Sequence, residues 1–280
     1  MDPTTAIDVR AALSIATKAA EAGAQVLQYY ARHREQLQIN FKMRNDLVSQ
    51  ADREAEQAVI QILHEQTPEF GIVAEESGGT PSTLATWCID PLDGTTNFLH
   101  GIPQYAVSIA LIAHAGTEVK GTVLTQDTPI IGVVYDPCRN ELFSAIYQTG
   151  AWLNGEPIQC SKAQNLADSV VATGFPFRDF SFADQYMPTL HAAITRTRGI
   201  RRLGAAALDL TWVACGRFDA YWEMGLAPWD VAAGTVIVRE AGGICEDMYQ
   251  QQPWPEKGYV YAGNTYTAPE LFTLIKPHLR

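Results

Sequence analysis

The chain has 280 residues, enough for one large domain or two lobes with a sizeable buried core. Its content of 47% hydrophobic and 18% charged residues is ordinary for a soluble globular protein. The formal net charge of −11 disfavours direct binding to nucleic acid, and it repels an anionic substrate unless a cation mediates.

The cysteines and the N-terminal segment bear on the compartment. The five cysteines lie far apart, without zinc-binding or redox spacing, which predicts free thiols in a reducing compartment. The N-terminal segment lacks the apolar core of a signal peptide, and no apolar run approaches the length of a membrane span. We therefore expect a cytoplasmic protein that makes no membrane contact.

Helical and strand patterns alternate along the chain. Apolar residues spaced by three, four or seven predict helices over 9–27 and 55–63, and Ser49 with Asp52 resembles a capping box before the second helix. The remaining strand predictions cover 70–74, 86–90, 105–113, 129–137, 141–147, 169–175, 218–224, 242–248 and 258–264, and the remaining helices cover 181–197, 205–216 and 230–241. This mixture fits a layered α/β fold. A Gly-rich turn predicts a lobe boundary near residue 150, with lobes 1–150 and 151–280.

Acidic residues stand at the ends of several predicted elements. Glu75 and Glu76 follow one strand, Asp90 and Asp93 follow the next, and Asp230 begins a helix. Ligands gather at strand ends in layered α/β proteins. If these carboxylates converge, they repel one another and need a cation; a set of oxygen ligands suits Mg²⁺, Mn²⁺ or Ca²⁺ rather than zinc.

The segment "WCIDPLDGTTNF", Trp87 to Phe98, combines this acid pair with a rigid turn. Pro91 fixes its φ angle and lacks an N–H, which could direct the Leu92 carbonyl towards the acids. Gly94 permits close backbone approach, and Thr95 with Thr96 can cap a following helix whose N–H groups bind phosphate. Cation ligands beside an anion cradle are what metal-assisted phosphoryl transfer requires.

Two other motifs share letters with this segment. An EF-hand needs acids at alternating positions before its glycine, whereas here the spacing is three with a proline between. The haloacid-dehalogenase type of phosphatase resembles it through Asp-x-Asp-Gly-Thr, which is one residue shorter. That family, which attacks phosphate with an aspartate, is kept as the alternative chemistry.

Two long segments carry a family resemblance. "WCIDPLDGTTNFLH" resembles the first signature of the inositol monophosphatase family, and "WDVAAGTVIVREAGG", Trp229 to Gly243, resembles its second. "NDLVSQAD" and "VAEES" precede them in the expected order, and "ATGFPFRD" is similar to the bacterial branch. The similarity covers roughly residues 8 to 270. It implies a five-layer α/β/α/β/α sandwich of the inositol monophosphatase and fructose-1,6-bisphosphatase type, usually a homodimer, with most metal ligands in the N-terminal lobe.

The resemblance also implies roles for individual residues. A first Mg²⁺ would be held by Glu75, Asp90 and the Leu92 carbonyl, a second by Asp90, Asp93 and Asp230, and a looser third near the loop with Lys42, helped by Glu75. Mn²⁺ is an expected substitute. The catalytic residues would be Glu75, Thr95 and Asp93, with Thr95 paired to Glu75 to orient the attacking water. The substrate contacts would be Leu92, Asp93, Gly94, Thr95, Arg201, Gly204, Ala206, Glu223 and Asp230.

Within that substrate set, the Gly94 and Thr95 amides would bind phosphate, and Asp93, Ala206 and Glu223 would face the hydroxyl groups of a sugar or cyclitol. Glu76 is interpreted as a structural acid. The sequence departs from the family at the long segment 114–129 and at "KMRND", which bears on the third metal and on lithium sensitivity.

The implied function is Mg²⁺-dependent hydrolysis of a phosphate monoester by a water activated by metal. The leading substrate is myo-inositol 1-phosphate, and the alternatives are fructose 1,6-bisphosphate, histidinol phosphate and nucleotide phosphates. A hypothesis of another class is regulatory: some bacterial relatives act with transcription factors, and the acidic chain would make such contacts through proteins.

Overall fold

The structure, a computed structural model, describes residues 6–37, 39–43, 46–175 and 180–279, and for 39–43 and 46–48 it describes the backbone alone. Within this part of the chain the helices are α1 (Val9–Arg32), α2 (Gln50–Gln66), α3 (Thr95–His100), α4 (Ala183–Ile194), α5 (Ala206–Ala214), α6 (Pro228–Glu240) and α7 (Thr267–Ile275). Short 3₁₀ turns lie at Arg34–Gln36, Leu166–Asp168 and Lys276–His278.

The strands form two large sheets and two small hairpins. They are β1 (Ile39–Met43), β2 (Asp46–Ser49), β3 (Gly71–Ala74), β4 (Gly78–Thr80), β5 (Ala85–Asp93), β6 (Ala106–Ala113), β7 (Glu118–Val119), β8 (Thr122–Val123), β9 (Thr128–Asp136), β10 (Glu141–Ile146), β11 (Gly150–Leu153), β12 (Glu156–Pro157), β13 (Val170–Thr173), β14 (Gly199–Arg201), β15 (Ala220–Glu223), β16 (Ile244–Asp247) and β17 (Val260–Gly263).

The eight-stranded sheet has the order β12-β11-β10-β9-β6-β5-β3-β4, and the five-stranded sheet has the order β14-β13-β15-β17-β16. Helices α1 and α2 cover the outer face of the eight-stranded sheet, α5 and α6 lie between the two sheets, and α4 with α7 covers the far face of the five-stranded sheet. The predicted five-layer α/β/α/β/α sandwich is therefore confirmed. Segment 114–129 contains the small β7–β8 hairpin.

The apolar periodicity accounts for the outer layer. Helix α1 buries a stripe of mostly small residues that includes Ala12, Ala16 and Ala20, and its Leu27 is buried in the same core. Small side chains let α1 approach α2 and the sheet closely. Helix α2 begins at the predicted capping box, in which Asp52 accepts a hydrogen bond from the Ser49 N–H at 2.8 Å.

Three apolar cores separate the layers. The first lies between α1, α2 and the eight-stranded sheet, the second surrounds α5 and α6, and the third lies beneath α4 and α7. The eight-stranded sheet continues to Pro157, and the five-stranded sheet begins at Val170. Among the described residues, no helix has both the length and the apolar character needed to cross a membrane.

Candidate active site

A β-bulge in β5 places two acids on the same side of the sheet. Asp90 pairs with Ser108 of β6 and Asp93 pairs with Ala106, so three steps along β5 face two steps along β6. Residues three apart on a regular strand point to opposite faces. The extra residue in the bulge turns both acids to the same face. Pro91 within the bulge has no N–H to donate to a neighbouring strand. The bulge and its register with β6 thus bring the Asp90 and Asp93 carboxylates to one side of the sheet.

Asp230 approaches this acid pair from helix α6, in the layer between the two sheets. Pro228 begins α6, and the Asp230 carboxylate accepts a hydrogen bond from the Ala227 N–H at 2.7 Å, which fixes it in the first turn. The Ser108 hydroxyl donates to the Trp229 carbonyl at 3.2 Å and so ties β6 to the start of the helix. One carboxylate oxygen from each of Asp90, Asp93 and Asp230 lies within 4.8 Å of the others.

These three carboxylates are buried, with between 1% and 8% of each residue exposed. Burial raises the pKa of Asp90 well above its usual range, and the charges of Glu75, Asp93 and Asp230 raise it further. Burial and then the Asp230 charge likewise raise the pKa of Asp93, against a lowering by the Ala207 N–H. Negative charge in this cluster is unfavourable without a cation.

The donor set fits a hard divalent cation. It consists of carboxylate oxygens that converge from a strand and a helix, without nitrogen or sulfur ligands among the three residues. Oxygen ligands of this kind suit Mg²⁺ or Mn²⁺ rather than zinc. The cluster Asp90, Asp93 and Asp230 is therefore the candidate metal centre, as the sequence predicted.

Glu75 stands at the edge of this centre. It follows β3, its N–H donates to the Ile89 carbonyl at 3.1 Å, and its side chain shares a hydrogen bond with Asp90. The next acid is Glu76. Its backbone N–H group and that of Ser77 both donate to the Glu56 carboxylate at 2.8 Å, which holds this turn in place. The structure thus brings Glu75 to the cluster, and its role as a metal ligand remains a prediction.

Thr95 has partners that the sequence did not predict. Its hydroxyl lies 3.1 Å from Asp52 Oδ1 and 3.1 Å from the Leu92 carbonyl oxygen, so these two acceptors share its proton. The expected pairing was with Glu75, whereas the described hydrogen bonds of the Thr95 hydroxyl lead to Asp52, 43 residues away in sequence, and to Leu92. The capping box located Asp52 on its helix, but no local pattern shows which element α2 faces.

The start of α3 also differs from the sequence prediction. Gly94, with φ of +93°, is the N-cap residue, and Thr95 is the first helical residue rather than the cap. A Cβ atom at Gly94 would lie 2.8 Å from the Gln104 carbonyl oxygen, so only glycine fits this position without strain. The prediction that Thr95 and Thr96 cap the helix was therefore wrong, because their positions come after the turn.

Asp93 joins the two halves of the site. Its carboxylate accepts hydrogen bonds from the N–H groups of Ala206 at 3.2 Å and Ala207 at 2.8 Å, in the first turn of α5. Gly204 precedes this turn with φ of +84°, and its carbonyl lies 3.3 Å from the Asn97 amide nitrogen. Ala206 therefore lies beside Asp93, and Gly204 comes two residues before it; substrate contacts by both residues remain predictions.

Glu223 is the acid at the end of β15. It is 7% exposed, and its charge raises the pKa of Asp93 and of Asp209, after burial as the larger cause in each case. The Tyr221 hydroxyl donates to Glu223 Oε2 at 2.6 Å. From the sequence we named Glu223 but missed Tyr221, which is a common core residue, and Asp209. The acid within the apolar helix pattern "AAALDLTWVACG" was the signal that could have indicated Asp209.

The two arginines before Gly204 have different environments. Arg201 is exposed, and its described hydrogen bond goes to the Ile200 carbonyl at 3.0 Å. The guanidinium of Arg202 instead lies over the Phe175 ring, 5.4 Å from its centroid, and close to Gly204. A substrate contact by Arg201 remains a prediction. The third-metal prediction falls on Lys42, whose side chain lies outside the described residues.

Comparisons with known proteins agree with this geometry. The model of the inositol monophosphatase family matches residues 8–279. The chain belongs to this family. A relative from Pseudomonas aeruginosa, named Nus factor SuhB, is 40% identical over 273 residues, which covers 95% of this chain and 96% of the relative. A relative from Synechocystis, named inositol-1-monophosphatase, is 46% identical over 241 residues and covers 85% of this chain and 79% of the relative.

Solved structures show the same inositol monophosphatase fold. The structure of the extragenic suppressor protein suhB from Bartonella henselae has a TM-score of 0.86 and 38% identity, covering 96% of this chain and all (100%) of that chain. The IMPase of Thermotoga maritima has a TM-score of 0.80 and 29% identity, covering 96% and 97% of the two chains. The protein is thus a phosphatase of this family, and its relatives divide between two names.

Proposed function

We propose that the protein hydrolyses a small phosphorylated polyol, with myo-inositol 1-phosphate as the leading substrate. The convergence of Asp90, Asp93 and Asp230 within 4.8 Å is the observation that supports it. Mg²⁺ held by these carboxylates, by Glu75 and by the Leu92 carbonyl would offset phosphate charge and act as a Lewis acid. Two or three ions are proposed, with Mn²⁺ as a substitute.

The chain's own residues divide the remaining work. The Gly94 and Thr95 amides are proposed to bind phosphate oxygens, with Leu92, Asp93 and Asp230 alongside them. Thr95 is proposed to orient the attacking water, because its hydroxyl donates its proton towards Asp52 and keeps lone pairs to accept one from water. Burial raises the pKa of Asp52, which makes its carboxylate a stronger base for a proton from the water.

The other half of the substrate is proposed to meet the middle and five-stranded layers. Asp93, Ala206 and Glu223 are assigned to the hydroxyl groups, with Gly204 and Arg201 at the rim. Glu223 is the proposed selector, because a buried carboxylate accepts hydrogen bonds from a polyol. An apolar group would desolvate this charge without donating a hydrogen bond, and an anionic group would be repelled. A polyol would therefore be preferred over an aryl group, and the preference would decrease in Glu223→Gln.

The test is a panel of phosphate monoesters with Mg²⁺. It contains myo-inositol 1-phosphate, fructose 1,6-bisphosphate, histidinol phosphate, a nucleoside monophosphate and 4-nitrophenyl phosphate. We expect the highest kcat/KM for myo-inositol 1-phosphate and its loss in Asp93→Asn. A clear preference for another member would replace the substrate, and unchanged turnover by folded Asp93→Asn would refute the proposed centre.

A regulatory role is the second candidate, supported by the relatives named Nus factor SuhB at about 40% identity. Such a role would act through proteins of the transcription machinery, because the net charge of −11 disfavours nucleic acid. Rescue of a deletion phenotype by Asp230→Asn would support it, and failure of that variant alone would favour catalysis.

Three further features are also proposals: a homodimer, a cytoplasmic location and a division into the lobes 1–150 and 151–280. Light scattering, which measures the mass in solution, tests the homodimer.

A further inference from the structure

The Glu223 carboxylate occupies a site shaped by its neighbours. Residues two apart on a strand share one face, so Tyr221 and Glu223 of β15 point towards the middle layer. Trp222 between them points to the opposite side, where its indole N–H donates to the Thr189 hydroxyl at 3.0 Å. Side chains on both faces of β15 are packed in apolar cores, and this packing fixes which residues face the candidate active site. Glu223 is one of them.

Tyr221 holds one oxygen of this carboxylate. The tyrosine is fully buried, and its described side-chain hydrogen bond goes to Glu223 Oε2 at 2.6 Å. Burial, followed by the charge of Glu223, raises the pKa of Tyr221, so the hydroxyl keeps its proton and acts as the donor. A phenylalanine would fill the same apolar space, so the hydroxyl contributes a directed contact rather than volume.

Gly174 leaves the space that the Glu223 carboxylate occupies. It follows β13, which runs parallel to β15 with Thr173 opposite Trp222. A Cβ atom built on Gly174 would lie 1.8 Å from Glu223 Oε1 and 1.9 Å from the carboxyl carbon. Any other residue at this position would displace the carboxylate from its observed place. Glycine here makes room for Glu223.

We propose that Tyr221 and Gly174 are specificity-determining positioning residues that fix the Glu223 carboxylate as an acceptor for a substrate hydroxyl. The inference rests on the proposed role of Glu223 in choosing a polyol. A carboxylate fixed before binding loses little rotamer freedom when substrate arrives, and its acceptor directions are set. Without these two neighbours, the same acid would bind a polyol more weakly and discriminate less.

The test compares Tyr221→Phe with the matched control Tyr261→Phe. Tyr261 is also buried and its hydroxyl also donates to a glutamate, Glu246 Oε2 at 2.5 Å, but it packs in the core beneath α4 and α7. The readout is selectivity, defined as kcat/KM for myo-inositol 1-phosphate divided by kcat/KM for 4-nitrophenyl phosphate. We expect Tyr221→Phe to lower selectivity about 10-fold, mostly through KM, because a hydrogen bond to a charged group is lost. The control should change selectivity less than about twofold.

A double-mutant cycle with Glu223→Gln separates the inference from the proposed function. If Tyr221 acts through Glu223, Tyr221→Phe adds no further loss of selectivity in the Glu223→Gln background. Gly174→Ala should also lower selectivity, and Tyr221→Phe alone decides if that variant does not fold.

Each outcome has one meaning. If Glu223→Gln lowers selectivity and Tyr221→Phe does not, the positioning role is overturned and the proposed function stands. Equal losses on both substrates in Tyr221→Phe also overturn it, since they indicate general destabilisation. If Glu223→Gln leaves selectivity unchanged, both the role of Glu223 and the positioning inference are overturned.

Discussion

Substitution of Asp230 by asparagine should make the metal-free protein more stable and greatly reduce its stabilisation by Mg²⁺. The oxygens of Asp90, Asp93 and Asp230 lie within 4.8 Å of one another. At an effective dielectric constant of about 20, each ionised pair at that distance repels by about 3 kcal/mol. The Asp230→Asn substitution would remove two of the three pairs, and the new amide would keep an oxygen to accept the hydrogen bond from Ala227.

Protonation limits this gain. An acid that is neutral in the folded state at pH 7, but has a pKa of about 3.9 when unfolded, costs at most about 4 kcal/mol. We therefore expect Asp230→Asn to stabilise the metal-free protein by about 1 to 3 kcal/mol. For a chain of this length, that corresponds to a rise in Tm of about 2–5 °C.

Mg²⁺ should distinguish the two proteins. At 100 times its Kd, a ligand that binds only the folded state stabilises it by about 2.7 kcal/mol. Wild type should therefore gain about 5 °C in Tm with saturating Mg²⁺, and Asp230→Asn should gain far less. Differential scanning calorimetry at pH 7, with EDTA or with Mg²⁺, measures both effects.

Asp247→Asn provides the matched control. Asp247 is a buried acid that accepts a backbone hydrogen bond from Gln251 at 2.9 Å, at the end of β16. Its asparagine variant should keep the Mg²⁺ response of the wild type. The reasoning would be refuted if folded Asp230→Asn had a lower Tm than wild type in EDTA and the same rise with Mg²⁺.

Four further predictions concern the neighbours of the metal centre. Asp52→Asn should lower kcat by about 10²–10⁴-fold while the Mg²⁺-dependent rise in Tm persists; loss of that rise would assign Asp52 to metal binding instead. Hydrolysis of an isotopically chiral phosphorothioate monoester should invert the configuration at phosphorus, because water attacks directly, whereas net retention would indicate a phosphoenzyme formed and hydrolysed by two successive inversions. Burial raises the pKa of Asp209 well above its usual range, so Asp209 lowers the free energy of unfolding increasingly as pH rises from about 3.9 through its folded pKa. In urea titrations, Asp209→Asn should therefore be more stable than wild type by an amount that grows over this pH interval. A difference that does not change with pH would contradict this. Gly94→Ala should cost about 1–3 kcal/mol in urea denaturation, because alanine at a φ of +93° is strained and its Cβ atom would crowd the Gln104 carbonyl; an unchanged midpoint would show that the turn relaxes.

Local pattern was sufficient for the elements and for most of the acid cluster. The spacing of apolar residues predicted α1 and α2, and the capping box predicted where α2 begins. The acids were expected to follow two strands; Glu75 does follow β3, whereas β5 itself extends through Asp90 to Asp93. These features depend on contacts within one turn or one strand, so a short stretch of sequence contains the information. The two long signatures added the order of the layers.

The tertiary structure decided what lies across from what. The β5 bulge places Asp90 and Asp93 on one side only through its register with β6, and Thr95 finds Asp52 only because α2 packs against the eight-stranded sheet. Likewise, the parallel pairing of β13 with β15 brings Gly174 under the Glu223 carboxylate. Such contacts join residues distant in the chain, and the packing of whole layers determines their geometry; no local propensity encodes it.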